Sequence, residues 1–254
     1  MLNVAIHGMG NWGRKLVESV QGSSKIRFVC GVTRNPAAHV DFAARNGLTL
    51  VTSYADTLAD KDIGAVVLAT PHSQHEAQVI QAARAGKPVC VEKPITLTQA
   101  SAQRAVDACK AAGVTLGLGF NRRYAPGFVE MMRRIRAGEI GDVLHVEGHH
   151  AGPTGYLGVV FVTAELYRVH VFGSKGWLEM RGDTELVSCA LEGKPQRETF
   201  DAVNKERAVL EAFADAVAAG QPFMVPPKQA VNSIAVLESI EVSARTGAVI
   251  TIKQ

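Results

Sequence analysis

No apolar run in the 254 residues approaches the ~18 that a membrane-crossing helix needs. Cysteine is scarce: Cys30, Cys90, Cys109 and Cys189 share no short repeated spacing, and two of them lie inside apolar runs. That pattern argues for packed free thiols in a reducing compartment and against a disulfide framework or a metal knuckle. Dense charge of one sign is also missing. The net charge is +3, and the tightest basic knot is "MRRIRAG" at 132–138, too dilute for a nucleic-acid surface although suited to an anionic ligand. The sequence enters a strand at once, with no basic region followed by an apolar stretch, which leads us to expect a soluble cytoplasmic protein. Internal repeats and low-complexity segments are absent as well. What the sequence does have is 47% hydrophobic residues, enough apolar material for one or two packed domains.

From residue 1 to about 120, short apolar runs alternate with helix-like segments. "NVAIH" (3–7), "IRFVCGV" (26–32), a short run near 48–52, "GAVVLAT" (64–70), "PVCVEK" (88–93) and "VTLGLGF" (114–120) read as strands. Helices are expected at 12–21, 36–46, 73–85 and 98–112. Six strands separated by helices imply an α/β, doubly wound parallel sheet of the Rossmann type. After residue 122 the pattern changes. A short basic helix near 126–137 is followed by "DVLHVEGHHA", "GYLGVVFVTA", "ELYRVHVFG", "KGWLEMRG" and "TELVSCALEG" with no helix between them, which implies an antiparallel sheet. Helices at about 203–219 and 228–246 precede a last expected strand at 248–253. We therefore expect a dinucleotide-binding domain over 1–122 and a reduced α+β domain with a mostly antiparallel sheet over 123–254, serving substrate binding and oligomerisation.

The stretch "VAIHGMGNWGRKL" (4–16) places Gly8, Gly10 and Gly13 between a strand and a helix, with Asn11 and Trp12 inside the turn. Gly8 allows the tight turn, Gly10 lets the backbone approach a pyrophosphate, and Gly13 lets helix and strand pack closely. Unpaired N–H groups and the positive end of the helix dipole would then meet the phosphates. A glycine-rich turn without a ligand is the plainer alternative. The second strand ends in "CGVTRNP", with Thr33 and Arg34 where an acid would hold the ribose of NAD. A hydroxyl followed by a guanidinium suits a 2′-phosphate, so NADP(H) is expected over NAD(H). Arg34 reads equally as a solvated loop residue.

The segment "ATPHSQHEAQVIQAARAGKPVCVEKPITLT" (69–98) carries a more particular pattern: Thr70-Pro71 at a strand end, His75 four residues after the proline, Gly86-Lys87-Pro88-Val89, and Glu92-Lys93-Pro94 closing the next strand. It resembles the family of glucose-fructose oxidoreductase and inositol 2-dehydrogenase. "NRRYAP" (121–126), with Arg123, is similar to that family's R-x-x-P element, and "SARTGAVITI" (243–252) to its C-terminal signature. The resemblance implies a nicotinamide-dependent oxidoreductase acting on a sugar- or polyol-like hydroxyl or keto carbon. It implies that Thr70, Pro71 and His75 line the nicotinamide side, that Glu92 and Lys93 stand beside the reactive ring, and that Arg123 joins the cofactor-binding set. Lys93 is then the catalytic candidate, orienting the substrate oxygen and relaying its proton. By itself, a lysine in that turn also reads as a surface residue.

The chain departs from the family in one respect. The family's helix bearing H-x-x-D has no counterpart here, because "HHAGP" (149–153) runs directly into "TGYLGVVFVTAELYRVHVFG". Alternation puts His145, Glu147 and His149 on one strand face, able to bind a metal or relay protons, or simply to be solvated. His72 and His75 could pair on a metal, though no third ligand follows in sequence. A strand as apolar as "YLGVVFVT" (156–163) in an incomplete sheet implies a homo-oligomer, a dimer or larger. Three readings stay open: an oxidoreductase, an NADP(H)-binding module or scaffold without turnover, and an internally deleted form of a longer enzyme.

Overall fold

The structure, a computed structural model, describes residues 1–152, 160–161 and 166–252. The chain forms two compact units, one of residues 1–120 with 206–254 and one of residues 121–205. The division differs from the expected domain of 123–254, because the last two helices return to the first unit.

In the first unit the strands are β1 (Leu2–His7), β2 (Ile26–Val32), β3 (Thr49–Val51), β4 (Ala65–Leu68), β5 (Val89–Val91) and β6 (Leu116–Leu118). They form one parallel sheet in the order β3-β2-β1-β4-β5-β6. Helices α1 (Asn11–Ser19), α2 (Val40–Asn46), α3 (Tyr54–Ala59), α4 (His72–Arg84) and α5 (Gln99–Ala112) connect them. Every residue of β4 and β5 is buried, as expected of strands covered on both faces. Local chemistry sets the ends of α5: Thr98 and Ser101 cap its start reciprocally, and Gly113 ends it in the left-handed conformation. Helix α3 escaped the sequence reading. It is only six residues long and shows little apolar periodicity, but Ser53 caps it by accepting the Asp56 N–H.

Helices α7 (Lys205–Ala219) and α8 (Pro227–Thr246) complete this unit. Phe213 of α7 is fully buried over β6, where a Cβ on Gly117 would stand 2.7 Å from its ring. Glu211 accepts from Ser23 Oγ at 2.7 Å, and Lys25 bonds Asp215 at 2.6 Å. Helix α8 packs against α5, where Glu238 accepts the Gln99 N–H at 2.7 Å. These contacts explain why 206–254 belong to the first unit. The expected last strand does not form: residues 247–252 join no sheet among the described residues, and Val249 is 97% exposed.

The second unit opens with a 3-10 turn (Asn121–Tyr124) and helix α6 (Pro126–Arg136). Its strands are β7 (Val143–Gly152), β8 (Val160–Phe161), β9 (Leu166–Gly173), β10 (Gly176–Arg181), β11 (Glu185–Ala190) and β12 (Gln196–Thr199), in the order β12-β11-β10-β9-β7-β8. All neighbours are antiparallel except β7 and β8. The apolar stripe of α6 (Phe128, Met131, Ile135) packs on Ile140, Val171, Leu178, Met180 and Leu186. The sequence reading missed β12, a short, mostly exposed polar edge strand. Of the expected strand at 155–164, only residues 160–161 lie within the described residues.

Candidate functional site

The sheet order reverses at β1, which has β2 on one side and β4 on the other. Ligands of doubly wound sheets sit in the crevice outside the carboxyl ends of the strands at such a point. The predicted residues of the first unit converge there: Gly8–Gly13 follow β1, Thr33-Arg34 follow β2, Thr70-Pro71 follow β4 and Glu92-Lys93 follow β5.

The three glycines are fixed by different constraints. Gly8 has φ +104°, and a Cβ there would lie 2.5 Å from the Ala69 carbonyl oxygen, so turn and β4 touch backbone to backbone. At Gly13 a Cβ would stand 1.9 Å from the Gly8 carbonyl oxygen, so α1 starts in direct contact with the turn. A Cβ on Gly10 would meet nothing within 4 Å. Gly10 is also the N-cap of α1, and no side chain caps the first-turn N–H groups. An open cap of this kind fits a pyrophosphate.

Around the turn, Asn11 is exposed and accepts from Arg14 Nη2 at 2.7 Å. The Lys15 ammonium lies 4.7 Å from the Trp12 ring centroid and bonds Glu206 at 2.8 Å. The buried Trp12 indole Nε1 makes no hydrogen bond of normal geometry, yet it lies close enough to the Glu92 carboxylate to favour its charged form. At the end of β2 the Thr33 hydroxyl accepts the Asn35 N–H at 3.3 Å, and Arg34 is exposed beside it.

The β4 and β5 ends are tightly organised. Thr70 Oγ1 donates to Gln78 Oε1 at 2.6 Å, and Pro71 is the exposed N-cap of α4. His75 is fully buried, with Nδ1 3.0 Å from the Pro94 carbonyl oxygen and Nε2 3.0 Å from that of Thr70. It therefore does not line the crevice, which corrects the expected role. Both ring nitrogens are occupied, so a His72–His75 metal pair is excluded by the same geometry; the two rings meet edge to face at 5.5 Å.

Glu92 is buried, and burial pushes its carboxyl above the usual range, against the opposing effects of Trp12 and Lys93. Its Oε2 accepts the Lys93 N–H at 3.3 Å. The Lys93 side chain is exposed at the strand end, before a cis peptide to Pro94.

Sequence reasoning missed three residues here. A Cβ on Gly119 would stand 2.6 Å from Glu92 Oε1, so that glycine makes room for the carboxylate; the alternate glycines of "LGLGF" were the available signal. Gln78 holds Thr70 in place, and no motif marks it. His7, the last residue of β1, stacks on Tyr54 at 4.5 Å, and burial holds its pKa down to about 4.

In the second unit, Arg123 lies in the 3-10 turn, and burial lowers its pKa. Register places His145, Glu147 and His149 on one face of β7, with Glu147 3.4 Å from His145 Nε2 and 3.8 Å from His149 Nε2. Among the described residues no three His, Cys, Asp or Glu side chains are arranged to hold a metal ion. On the same face, His170 stacks on Phe172 at 3.9 Å, and the buried Glu179 is ion-paired with Arg168 and Arg181, each at 2.6 Å. All four cysteines are free thiols, and burial pushes Cys109 up to about 12. No helix among the described residues is long and apolar enough to cross a membrane.

Residues 2–120 match the family model GFO_IDH_MocA, the oxidoreductase family with an NAD-binding Rossmann fold. The chain is 41% identical over 93 residues to scyllo-inositol 2-dehydrogenase (NAD(+)) of Bacillus subtilis, covering 37% of this chain and 27% of that protein. With inositol 2-dehydrogenase of Corynebacterium glutamicum it shares 28% over 183 residues, 70% of this chain and 54% of that one. It thus spans about half or less of the curated relatives it matches. The fold is also that of levoglucosan dehydrogenase in complex with NADH and levoglucosan, at TM-score 0.86 and 16% identity, with 100% of both chains covered.

Proposed function

We propose, from the match of residues 2–120 to the oxidoreductase family with an NAD-binding Rossmann fold, that the chain moves hydride between a nicotinamide dinucleotide and a sugar- or polyol-like hydroxyl or keto carbon. The observation that carries this reading is the convergence of the open Gly10 cap and the Lys93 side chain on one edge of the sheet, at its switch point. When bound, the dinucleotide supplies the hydride chemistry. Gly10 and the first-turn N–H groups of α1 hold the pyrophosphate, and Thr33 with Arg34 binds a ribose 2′-phosphate, which favours NADP(H) over NAD(H). Lys93 orients the substrate oxygen, taking its proton on oxidation and returning it on reduction.

The dehydrogenase relatives named above support the substrate class. The lack of an H-x-x-D segment where "HHAGP" (149–153) runs directly into "TGYLG" favours a second reading, a dinucleotide-binding module without turnover. One experiment separates the two: NADPH oxidation with a panel of keto-sugars and keto-polyols, followed by the absorbance of the reduced nicotinamide, in wild type and Lys93→Ala. The first reading expects turnover that falls about 100-fold or more in the variant, the scale of a positioned proton-transfer group. Tight NADPH binding with no turnover on any substrate would leave the module. We further propose a cytoplasmic homo-oligomer, a dimer or larger. The exposed Val143, Leu144 and Val146 of β7 support the oligomer, and a monodisperse monomer in light scattering would contradict it.

A further inference from the structure

We infer that His75 is a positioning residue: its buried imidazole ties the backbone after β4 to the backbone after β5, and so fixes Lys93 relative to the Thr70-Pro71 turn. In its kinetic consequences this rests on the function proposed above; in its structural content it does not. β4 and β5 are paired neighbours as far as Leu68 and Val91, and the last backbone hydrogen bond between them runs from Glu92 N to the Leu68 carbonyl at 3.0 Å. Beyond that point the two segments carry Thr70-Pro71 and Lys93-Pro94. One ring spans the gap, with 3.0 Å from Nδ1 to the Pro94 oxygen and 3.0 Å from Nε2 to the Thr70 oxygen.

The choice of histidine needs explaining, because the position is an apolar one by geometry. Residues 75, 78, 79, 82 and 83 form the buried stripe of α4, and the others that pack deepest are Val79, Ala82 and Ala83. An apolar side chain at 75 would leave two carbonyl oxygens inside the protein facing carbon. Carbonyl oxygens only accept, so each of the two contacts is a hydrogen bond in which a ring N–H donates; the carbonyls raise the ring's pKa while burial, the larger effect, lowers it. His72, one turn earlier and exposed, meets the His75 ring edge to face at 5.5 Å, and burial and the Lys93 ammonium lower its own pKa.

The test uses the full chain with His75→Phe, which removes both contacts at similar volume, and His75→Gln, which keeps one donor. Amide hydrogen exchange should accelerate about tenfold or more at 70–72 and 92–97 in the Phe variant, while 26–32 and 116–118 keep their wild-type protection. The Gln variant should fall between. With a turned-over substrate, kcat should drop by about 10- to 100-fold in His75→Phe at an NADPH Kd within about threefold of wild type, with partial recovery in His75→Gln. Unchanged exchange in the two segments, or acceleration spread evenly over the sheet, would overturn the inference. A kcat loss matched by an equal loss of NADPH affinity would overturn it as well. If wild type shows no turnover, the functional reading fails while the exchange pattern still decides the role of His75. Should the Phe variant not fold, the graded exchange of the Gln variant decides it.

Discussion

Gly10→Ala and Gly13→Ala differ by three positions in one turn and should fail in opposite ways. At Gly13 the new methyl would lie 1.9 Å from the Gly8 carbonyl oxygen, far inside van der Waals contact, and that oxygen belongs to a turn already locked by φ +104° at Gly8. Helix α1 or the turn must move, at a cost of about 2–4 kcal/mol. For a chain of this size that lowers Tm by roughly 5 to 15 °C. At Gly10 the backbone sits at φ −68° and ψ −174°, open to any residue, and the methyl meets nothing within 4 Å. Stability should fall by no more than about 1 kcal/mol, the difference between glycine and alanine at an N-cap. The same methyl would occupy the space where phosphate oxygens approach the first-turn N–H groups. Each charge-assisted bond lost is worth about 1.5–3 kcal/mol, so the NADPH Kd should rise about ten- to a hundredfold. Differential scanning fluorimetry and calorimetric titration on both variants read the two axes separately. Wild-type NADPH affinity in Gly10→Ala would refute the use of that cap, and a wild-type Tm in Gly13→Ala would refute the packing argument.

Three further outcomes follow from the same geometry. Thr33→Asp places a carboxylate where a 2′-phosphate would lie, and the ratio of NADPH to NADH affinity should fall by about tenfold or more; unchanged affinities for both would remove the preference argument. His7 holds its proton only below about pH 4, while an unfolded histidine takes one near 6.5. Protons therefore favour the unfolded chain across that window, and stability should drop by about 2 kcal/mol as pH falls from 6.5 to 4, after allowance for partial exposure, with the slope reduced in His7→Asn. For Glu179→Gln, removing the charge leaves Arg168 and Arg181 facing a neutral amide on a buried site; denaturant unfolding should show a loss of about 1–3 kcal/mol, tempered by the exposure of both guanidinium groups, and no change would mean that the pair is fully solvated.

The sheet of the first unit was legible because its strands are short, mostly apolar runs, with β4, β5 and β6 buried along their whole length. The glycine turn and the Thr70-Pro71 and Glu92-Lys93-Pro94 pairs were legible because their chemistry is local. What escaped depended on distant partners. His75 carries a motif, but only the fold shows that its nitrogens meet Thr70 and Pro94 and not the crevice. Gly119 has meaning only because Glu92 leans over it. Residues 248–252 have the alternation of a strand, yet pairing needs a neighbour and none takes it among the described residues. Helices α7 and α8 read correctly as helices, while their membership in the first unit follows from Phe213, Glu211 and Glu238, whose partners lie about 100 to 190 positions away in sequence.

The most direct measurement of whether this sheet edge is a nicotinamide-dinucleotide site is a calorimetric titration of the purified protein with NADPH and, separately, with NADH. Single-site NADPH binding at about micromolar Kd or tighter, with weaker NADH binding, is the expected result. No heat from either dinucleotide would contradict a working cradle and reduce the three glycines to a turn that serves packing alone.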